Sequence, residues 1–282
     1  MTRLRASARP VAVPLLLLLP FLLLLLLFSI APTVWLLINS FMLDGAWSFG
    51  NFVEIVRSPF YRQAFSNTLW VSIASSVLGL AVGLITAASL KRVGGTLRDM
   101  VVSFTNMAAN LTGVPLAFAF MIVMGTNGAV TLILREMGWL NGFDLYSQSG
   151  LILIYTYFQI PLALLLLYPA FDALQDDWQE SAALLGASTF AYWRWVGLPV
   201  ILPAILGTFI LLLANALGAY ASAYALMTSN YNLVTIRIAS LVAGDISLEP
   251  NLAAALSLLL IVALVLVAMV NHFLMKKSYH AR

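Results

Sequence analysis

The polar residues best suited to contact a solute lie inside long apolar stretches, mostly in pairs four positions apart. They are Asn106 with Asn110, Tyr155 with Gln159, and Asn215 followed by Tyr220 with Tyr224. Residues four apart share one face of a helix, so each pair points its hydrogen-bonding groups in one direction. Such groups either line a solute pathway or hydrogen-bond between helices, where each bond contributes about 0.6 kcal/mol. For any single residue the sequence favours the hydrogen-bonding role, whereas as a set these residues are the predicted lining of a translocation pathway.

Groups that could perform covalent or metal chemistry are scarce. The chain has no cysteine and only two histidines, both near its C-terminus. No charged residue falls in the centre of any long apolar stretch, where insertion would cost about 2.5–3.5 kcal/mol. An ion-coupled carrier with buried carboxylates and an intramembrane enzyme with a Ser–His or Asp–Asp pair remain as disfavoured alternatives. We expect no catalytic residue, no metal site and no cofactor in this chain.

The elements that position these residues are predicted from the distribution of charge. The composition is 62% hydrophobic and 9% charged, whereas soluble domains carry about 25% charged residues. Six stretches of at least 26 residues lack any charge, and about 20 apolar residues cross a bilayer. We predict an all-α, polytopic membrane protein with one transmembrane domain over residues 1–282. Its six predicted spans cover residues 14–41, 64–90, 101–125, 150–168, 198–227 and 252–275.

The orientation follows from the positions of Lys and Arg, which concentrate on the cytoplasmic side of membrane proteins. With the N-terminus inside, ten such residues fall on the inner face and four on the outer face. Both termini are therefore predicted to be cytoplasmic. The basic residues before the first leucine run also suit a signal peptide, but that run is longer than a signal peptide needs. We expect the first helix to be retained.

One inner segment, residues 171–195, is longer than a simple connection requires. It begins with Asp176, Asp177 and Glu180, whose charges suit the start of a helix. Gly186 is suited to the left-handed conformation that ends a helix. Ser188 or Thr189 can then cap a second helix. The segment is predicted to form helix, turn and helix along the inner membrane face.

This segment resembles the EAA loop of bacterial ABC importer permeases. The family pattern is Glu-Ala-Ala, three residues, Gly, nine residues, then Ile-x-Leu-Pro. The matching residues are Glu180, Ser181, Ala182, Ala183, Leu184, Leu185, Gly186, Leu198 and Pro199. Ser181 replaces an alanine, and Val196 stands in place of the isoleucine. The outer stretch FGNFVEIVRSPFYRQAFSNTL also resembles this family, so the likeness covers nearly the whole chain.

The resemblance implies a type I ABC importer permease of the bacterial inner membrane. Residues 180–186 would form a coupling helix that docks on a cytoplasmic ABC ATPase dimer, and that dimer would bind ATP and Mg²⁺. A second permease subunit, expected to be a different chain, and a periplasmic solute-binding protein would complete the assembly. The bilayer is the remaining partner, and no nucleic acid is expected.

The resemblance is nearest to permeases for spermidine and putrescine or for 2-aminoethylphosphonate, so a polyamine-like or aminophosphonate solute is favoured. Sulfate, molybdate, ferric ion and sugar remain alternatives.

Overall fold

The computed structural model describes residues 12–138, 143–227, 231–243 and 248–280. Over these residues the chain is helical apart from the connecting turns and one two-stranded hairpin. In order, the elements are α1 (Ala12–Leu25), α2 (Ala31–Ser40), β1 (Met42–Leu43), β2 (Ala46–Trp47), α3 (Gly50–Arg57), α4 (Pro59–Lys91), α5 (Thr96–Ala109), α6 (Gly113–Met124), α7 (Ala129–Glu136), α8 (Gln148–Asp172), α9 (Asp176–Leu184), α10 (Thr189–Tyr192), α11 (Leu198–Gly218), α12 (Ala221–Met227), α13 (Val234–Ala243) and α14 (Pro250–His280).

Six helical segments in the described part of the chain are long and apolar enough to cross a membrane. They are Leu18–Ser40, Pro59–Lys91, Gly113–Glu136, Gln148–Asp172, Thr189–Gly218 and Pro250–Val270. The predicted all-α fold with six spans is therefore confirmed, while several helix ends differ from the prediction. For example, α4 begins at Pro59, since proline is well accommodated in the first turn of a helix.

The centre of the bundle is the pair α4 and α8, which pack closely along their length. Gly79 and Gly83 of α4 form a Gly-x-x-x-Gly pattern. A Cβ on Gly83 would lie 2.5 Å from the Cβ of Ala163, and one on Gly79 would lie 2.8 Å from the Cβ of Gln159. Small residues of this kind let two membrane helices approach closely.

The third predicted span, 101–125, is not one helix. It is interrupted at residues 110–112, between α5 and α6. Alone, α6 is 12 residues long and spans about 18 Å, too short for a hydrocarbon core of about 30 Å. Val101 and Val102 of α5 pack on the cluster at the Asp172 end of α8, which contains Phe171 and Leu174.

The other half of this interrupted span packs at the opposite end of α8. Phe120 and Met121 of α6 pack on the cluster that contains Leu151 and Ile154. Helices α5 and α6 together therefore run along the whole of α8. By length and composition alone, α6 followed by α7 also qualifies as a crossing segment.

The fifth predicted span, 198–227, differs at its start and is interrupted within. Its helical path begins earlier, because α10 continues into α11 through a π turn over Trp193–Gly197. It is interrupted at Ala219 and Tyr220, before α12. A second π turn, Leu26–Ile30, joins α1 to α2. Each π turn ends two residues before a proline, which cannot donate the regular helical hydrogen bond.

At the end of the bundle opposite the 171–195 segment, the start of α13 is hydrogen-bonded to the start of α4. The Asn67 amide donates to the Asn232 carbonyl at 3.1 Å, and the Asn232 amide donates to the Phe60 carbonyl at 2.8 Å. The Arg237 guanidinium donates to Asn232 Oδ1 at 2.8 Å and lies 4.7 Å from the centre of the Phe60 ring. Burial lowers the pKa of Arg237 from its ordinary value, an effect that Tyr61 opposes. The contact of Asn67 accounts for the asparagine of the Asn-Thr-Leu part of the outer sequence pattern.

Candidate functional site

The first candidate site is the tip of the 171–195 segment, residues 176–186. Helix α9 ends in a left-handed Gly186 with φ +81°. The Ala187 amide donates to the Ala182 carbonyl, and the Gly186 amide donates to the Ala183 carbonyl, both at 2.9 Å. These two bonds are the Schellman motif, which satisfies the last carbonyls of a helix. The predicted helix stop at Gly186 is confirmed.

The tip projects apolar side chains away from the rest of the protein. The side chains of Leu184 and Leu185 are 90% and 87% exposed. None of the residues of α9, all of which the structure describes, is buried. Glu180 is exposed on the same short helix. Two adjacent exposed leucines on a helix of fixed shape are typical of a surface that another protein covers.

Two ion pairs hold the base of the segment to the bundle. The Lys91 ammonium lies 2.8 Å from the Asp176 carboxylate and donates to the Leu174 carbonyl at 2.6 Å. The Arg98 guanidinium lies 3.1 Å from the Asp172 carboxylate and 4.9 Å from the centre of the Tyr168 ring. Both pairs are partly exposed, so each contributes at most about 1 kcal/mol. They therefore add little to the free energy of unfolding. Their effect is to hold the base of the segment beside the bundle.

The return path from the tip leads directly into α11. Ser188 caps α10 by accepting a hydrogen bond from the Ala191 amide at 3.2 Å. Within the π turn, the Trp193 ring covers Gly197, where an added Cβ would lie 2.7 Å from the ring. Leu198 and Pro199 then begin α11. The second half of the family pattern thus marks the point where the segment becomes a membrane helix.

The second candidate site is the place where the two interrupted spans meet. Thr112 is extended, and Gly113 has φ +72°, which favours glycine. The Ser222 hydroxyl, at the start of α12, donates to the Gly113 carbonyl at 3.2 Å. A Cβ on Gly113 would lie 3.6 Å from the Cβ of Ala221. The two breaks are therefore held against each other.

A cavity of about 170 Å³ opens beside this junction. Its lining residues come from both interruptions and from α8 and α11, and are Thr112, Gly113, Phe158, Asn215, Ala219, Tyr220, Ala221 and Ser222. Tyr220 and Tyr224 stack with ring centres 5.2 Å apart. Half-helix ends of this kind leave backbone groups available to a solute at membrane depth.

The predicted pathway residues divide into two groups. Tyr155 and Gln159 are 2% and 0% exposed. The Tyr155 hydroxyl donates to the Ala219 carbonyl at 2.7 Å, and the Gln159 amide donates to Ser75 Oγ at 2.8 Å. Their burial corrects the predicted lining role: these two side chains hydrogen-bond between helices inside the subunit.

The other five predicted residues are at least partly exposed. Asn215 and Tyr220 line the cavity, and Tyr224 is stacked on Tyr220. Asn106 and Asn110 precede the first interruption, and each donates to a carbonyl one turn back on its own helix. Among the described residues, neither side chain forms a hydrogen bond to another helix.

Sequence reasoning missed Thr112, Phe158 and Ser222 as cavity residues. A signal existed for Thr112, because Gly113 and Pro115 follow it and together are typical of a break before a new helix. No comparable signal marks Ser222, since it faces the junction only because α12 packs against α6.

Comparison with known proteins gives a family match over most of the chain. Residues 79–277 match the model of the family described as "Binding-protein-dependent transport system inner membrane component". The probable ABC transporter permease protein y4fN of Sinorhizobium fredii is 27% identical over 250 residues, which are 86% of this chain and 42% of that protein. The chain thus spans less than half the length of this relative.

Two further relatives are covered more fully. The molybdenum transport system permease protein ModB of Mycobacterium bovis is 26% identical over 222 residues, which are 77% of this chain and 81% of that protein. The spermidine/putrescine transport system permease protein PotB of Haemophilus influenzae is 24% identical over 204 residues, which are 70% of this chain and 71% of that protein.

The fold also matches a solved structure. A chain in the crystal structure of a bacterial ABC transporter that imports the acidic polysaccharide alginate has a TM-score of 0.75 and 18% identity. The match covers 94% of this chain and 95% of that chain. At this identity the likeness concerns the fold.

Proposed function

The chain belongs to the family of binding-protein-dependent transport system inner membrane components, and we propose that it is one permease subunit of an ATP-driven importer. It carries a small solute from the periplasm to the cytoplasm and has both termini in the cytoplasm. A cytoplasmic ABC ATPase dimer supplies the energy and binds ATP and Mg²⁺. A periplasmic binding protein delivers the solute, and a second permease subunit, a different chain, completes the pathway.

The observation that carries this proposal is the exposed pair Leu184 and Leu185 at the tip. Their side chains project from a helix whose end is fixed by backbone hydrogen bonds, and the helix is tied to α4 through Lys91. A partner that grips the leucines can therefore move α4 and α11 through short, ordered connections. Such a contact biases a two-state membrane pathway when the partner changes shape.

The pathway itself is proposed to pass the junction of the interrupted spans. Asn215, Tyr220 and Tyr224 supply polar groups there, with Asn110 and Asn106 on the approach along α5. Uncharged side chains suit this role, because they can form hydrogen bonds with a solute without adding a charge to the pathway. The energy for transport then comes from the partner and not from a coupled ion.

The solute is proposed to be polyamine-like or an aminophosphonate. The similarity to PotB, which is named for spermidine and putrescine, supports the first choice. The similarity to ModB, named for molybdenum, keeps an oxyanion as an alternative. The measurement that separates them is ligand binding by the binding protein that works with this permease.

The docking proposal is tested by Leu184→Ser with Leu185→Ser. Both side chains lie almost fully in solvent, so the double variant should fold and insert normally. We expect the ATPase to separate from the permease on affinity purification and solute uptake to fall to the level of cells that lack the ATPase.

A matched control is Val53→Ser with Val56→Ser on α3, because these two valines are also exposed but lie far from the tip. The control should keep the ATPase bound. Normal uptake by the Leu184/Leu185 variant, or uptake that persists without any ATPase, would contradict the proposal and favour an ion-coupled carrier.

A further inference from the structure

A second and larger cavity, of about 420 Å³, lies between the end of α4 and the 171–195 segment. It is open on one side. Its walls come from the last two turns of α4, the end of α8, the start of α9 and the π turn. Its volume is within the range of small-molecule sites, and the coupling and pathway roles proposed above do not use it.

The charge of this cavity is positive at its mouth. Lys91 lines the cavity but is paired with Asp176, so their charges offset each other. Arg92 also lines it, is exposed, and makes no side-chain hydrogen bond or ion pair with any residue that the structure describes. The end of α4 carries a partial negative charge of about half a unit, which the full charge of Arg92 exceeds.

An exposed apolar strip on α4 leads to the same mouth. Leu78, Val82 and Ile85 are 49%, 40% and 69% exposed. With Ser89 and Arg92 they follow a spacing of three or four residues, which places all five on one helix face. The exposed apolar strip thus leads directly to Arg92, which has no ion-pair partner in the part of the chain that the structure describes.

We propose that this cavity binds the phosphate headgroup of an anionic phospholipid. Arg92 pairs with the phosphate, and the Ser89 hydroxyl lies beside it on the same face. The acyl chains lie along Leu78, Val82 and Ile85. Basic pockets between membrane helices at the cytoplasmic face suit such headgroups, and the apolar strip distinguishes a lipid from a free phosphate. The naming of this face as cytoplasmic and the effect on the coupling tip rest on the proposed function, whereas the binding itself does not.

The bound lipid touches the parts of the chain that hold the tip. Asp176 and Gln179 of α9 and Trp193 of the π turn line the same cavity. A headgroup in this position fills the space beneath α9 and restricts its movement relative to α4. The lipid composition of the membrane therefore affects how firmly the coupling tip is positioned.

Lipid retention by the purified transporter tests the proposal. Native mass spectrometry during titration with phosphatidylglycerol or phosphatidylcholine of identical chains should show one phosphatidylglycerol held more tightly. Arg92→Gln should weaken this preference about fivefold, since one basic residue near the headgroup contributes about that much. The matched control Arg194→Gln should leave the preference unchanged, because Arg194 stacks on Trp195 and does not line the cavity.

A second variant, Ile85→Gln, should weaken retention of both lipids, because it places a polar group on the apolar strip. Equal retention of the two lipids by the wild type, or an unchanged preference in Arg92→Gln, would overturn the proposal. Displacement by an equal concentration of glycerol phosphate would show that the site takes phosphate without chains and would also overturn it. These measurements involve no transport, so their failure leaves the proposed function untouched.

Discussion

The tip at residues 176–186 and the contact between α4 and α8 are ordered in opposite ways. The tip takes its shape from bonds between near neighbours, such as that from Ala187 to Ala182, and it buries nothing. The α4–α8 contact depends on residues about 80 positions apart, such as Gly83 and Ala163, whose positions permit almost no added atom. The surface of the tip is therefore available to bind a partner, whereas the α4–α8 contact stabilises the subunit itself.

This difference predicts that the same type of substitution has different consequences in the two regions. A change in the α4–α8 contact should affect stability, because it alters packing that many residues share. A change at the tip should affect coupling and leave stability unaltered. The junction of the interrupted spans lies between these extremes, since it combines long-range hydrogen bonds with an open cavity.

The largest effect is expected from Gly83→Leu. The new side chain has no space beside Ala163, so α4 and α8 must separate along their length. We expect little monodisperse protein by fluorescence-detected size-exclusion chromatography.

Gly207→Leu on α11 is the matched control, because nothing lies within 4 Å of a Cβ at that position. It should keep normal yield and Tm. The milder Gly83→Ala, which overpacks the contact by about 1–3 kcal/mol, should be rescued by adding Ala163→Gly. Equal behaviour of Gly83→Leu and Gly207→Leu would show that the close contact does not hold the bundle together.

A smaller effect, confined to coupling, is expected from Gly186→Val. The left-handed conformation of residue 186 costs a branched residue about 1–2 kcal/mol or more, which should disturb the end of α9. Solute uptake should fall about tenfold while Tm stays unchanged. Gly186→Asn should retain most uptake, because asparagine tolerates this conformation. A large loss of Tm in Gly186→Val would contradict the independence of the tip.

At the junction, Asn215→Leu should lower uptake about three- to fivefold, the equivalent of one hydrogen bond of about 1 kcal/mol. ATP hydrolysis should continue, since the tip is intact. Asn110→Leu should act in the same direction. Asn39→Leu is the control, because Asn39 bonds to its own helix and lies away from the cavity. Normal uptake by both junction variants would remove this cavity from the pathway.

The smallest effect is expected from Tyr155→Phe. The substitution removes the hydrogen bond to the Ala219 carbonyl but keeps the ring in the buried cluster. The carbonyl keeps the Thr235 hydroxyl as a donor at 3.4 Å. A loss of about 0.6 kcal/mol should lower Tm by a few degrees at most. A drop as large as that of Gly83→Ala would show that this single bond holds the fifth span in its interrupted form.

Helix ends and caps were predictable from the sequence where they depend on the backbone preferences of a few neighbouring residues. The stop at Gly186 and the cap at Ser188 followed from backbone preferences that act over a few residues. The interruption at residues 110–112 had a local signal in Gly113 and Pro115 that the span prediction did not take into account. The interruption at residues 219–220 had none, because small and apolar residues surround it. The choice between lining and packing for Tyr155 and Gln159 depended on which face of α8 meets α4 and α11, and helical spacing alone does not contain that information.

The sequence by itself determined that the protein has six stretches long enough to cross a membrane, and that a helix in the 171–195 segment ends at Gly186. The spacing of charges and the conformational preferences of glycine and serine act without reference to the rest of the fold. Only the tertiary structure decided that the two broken spans meet at Gly113 and Ser222, and that Arg92 faces a cavity under α9. Those arrangements arise from the packing of distant helices, whose relative rotation is set by close contacts such as that between Gly83 and Ala163.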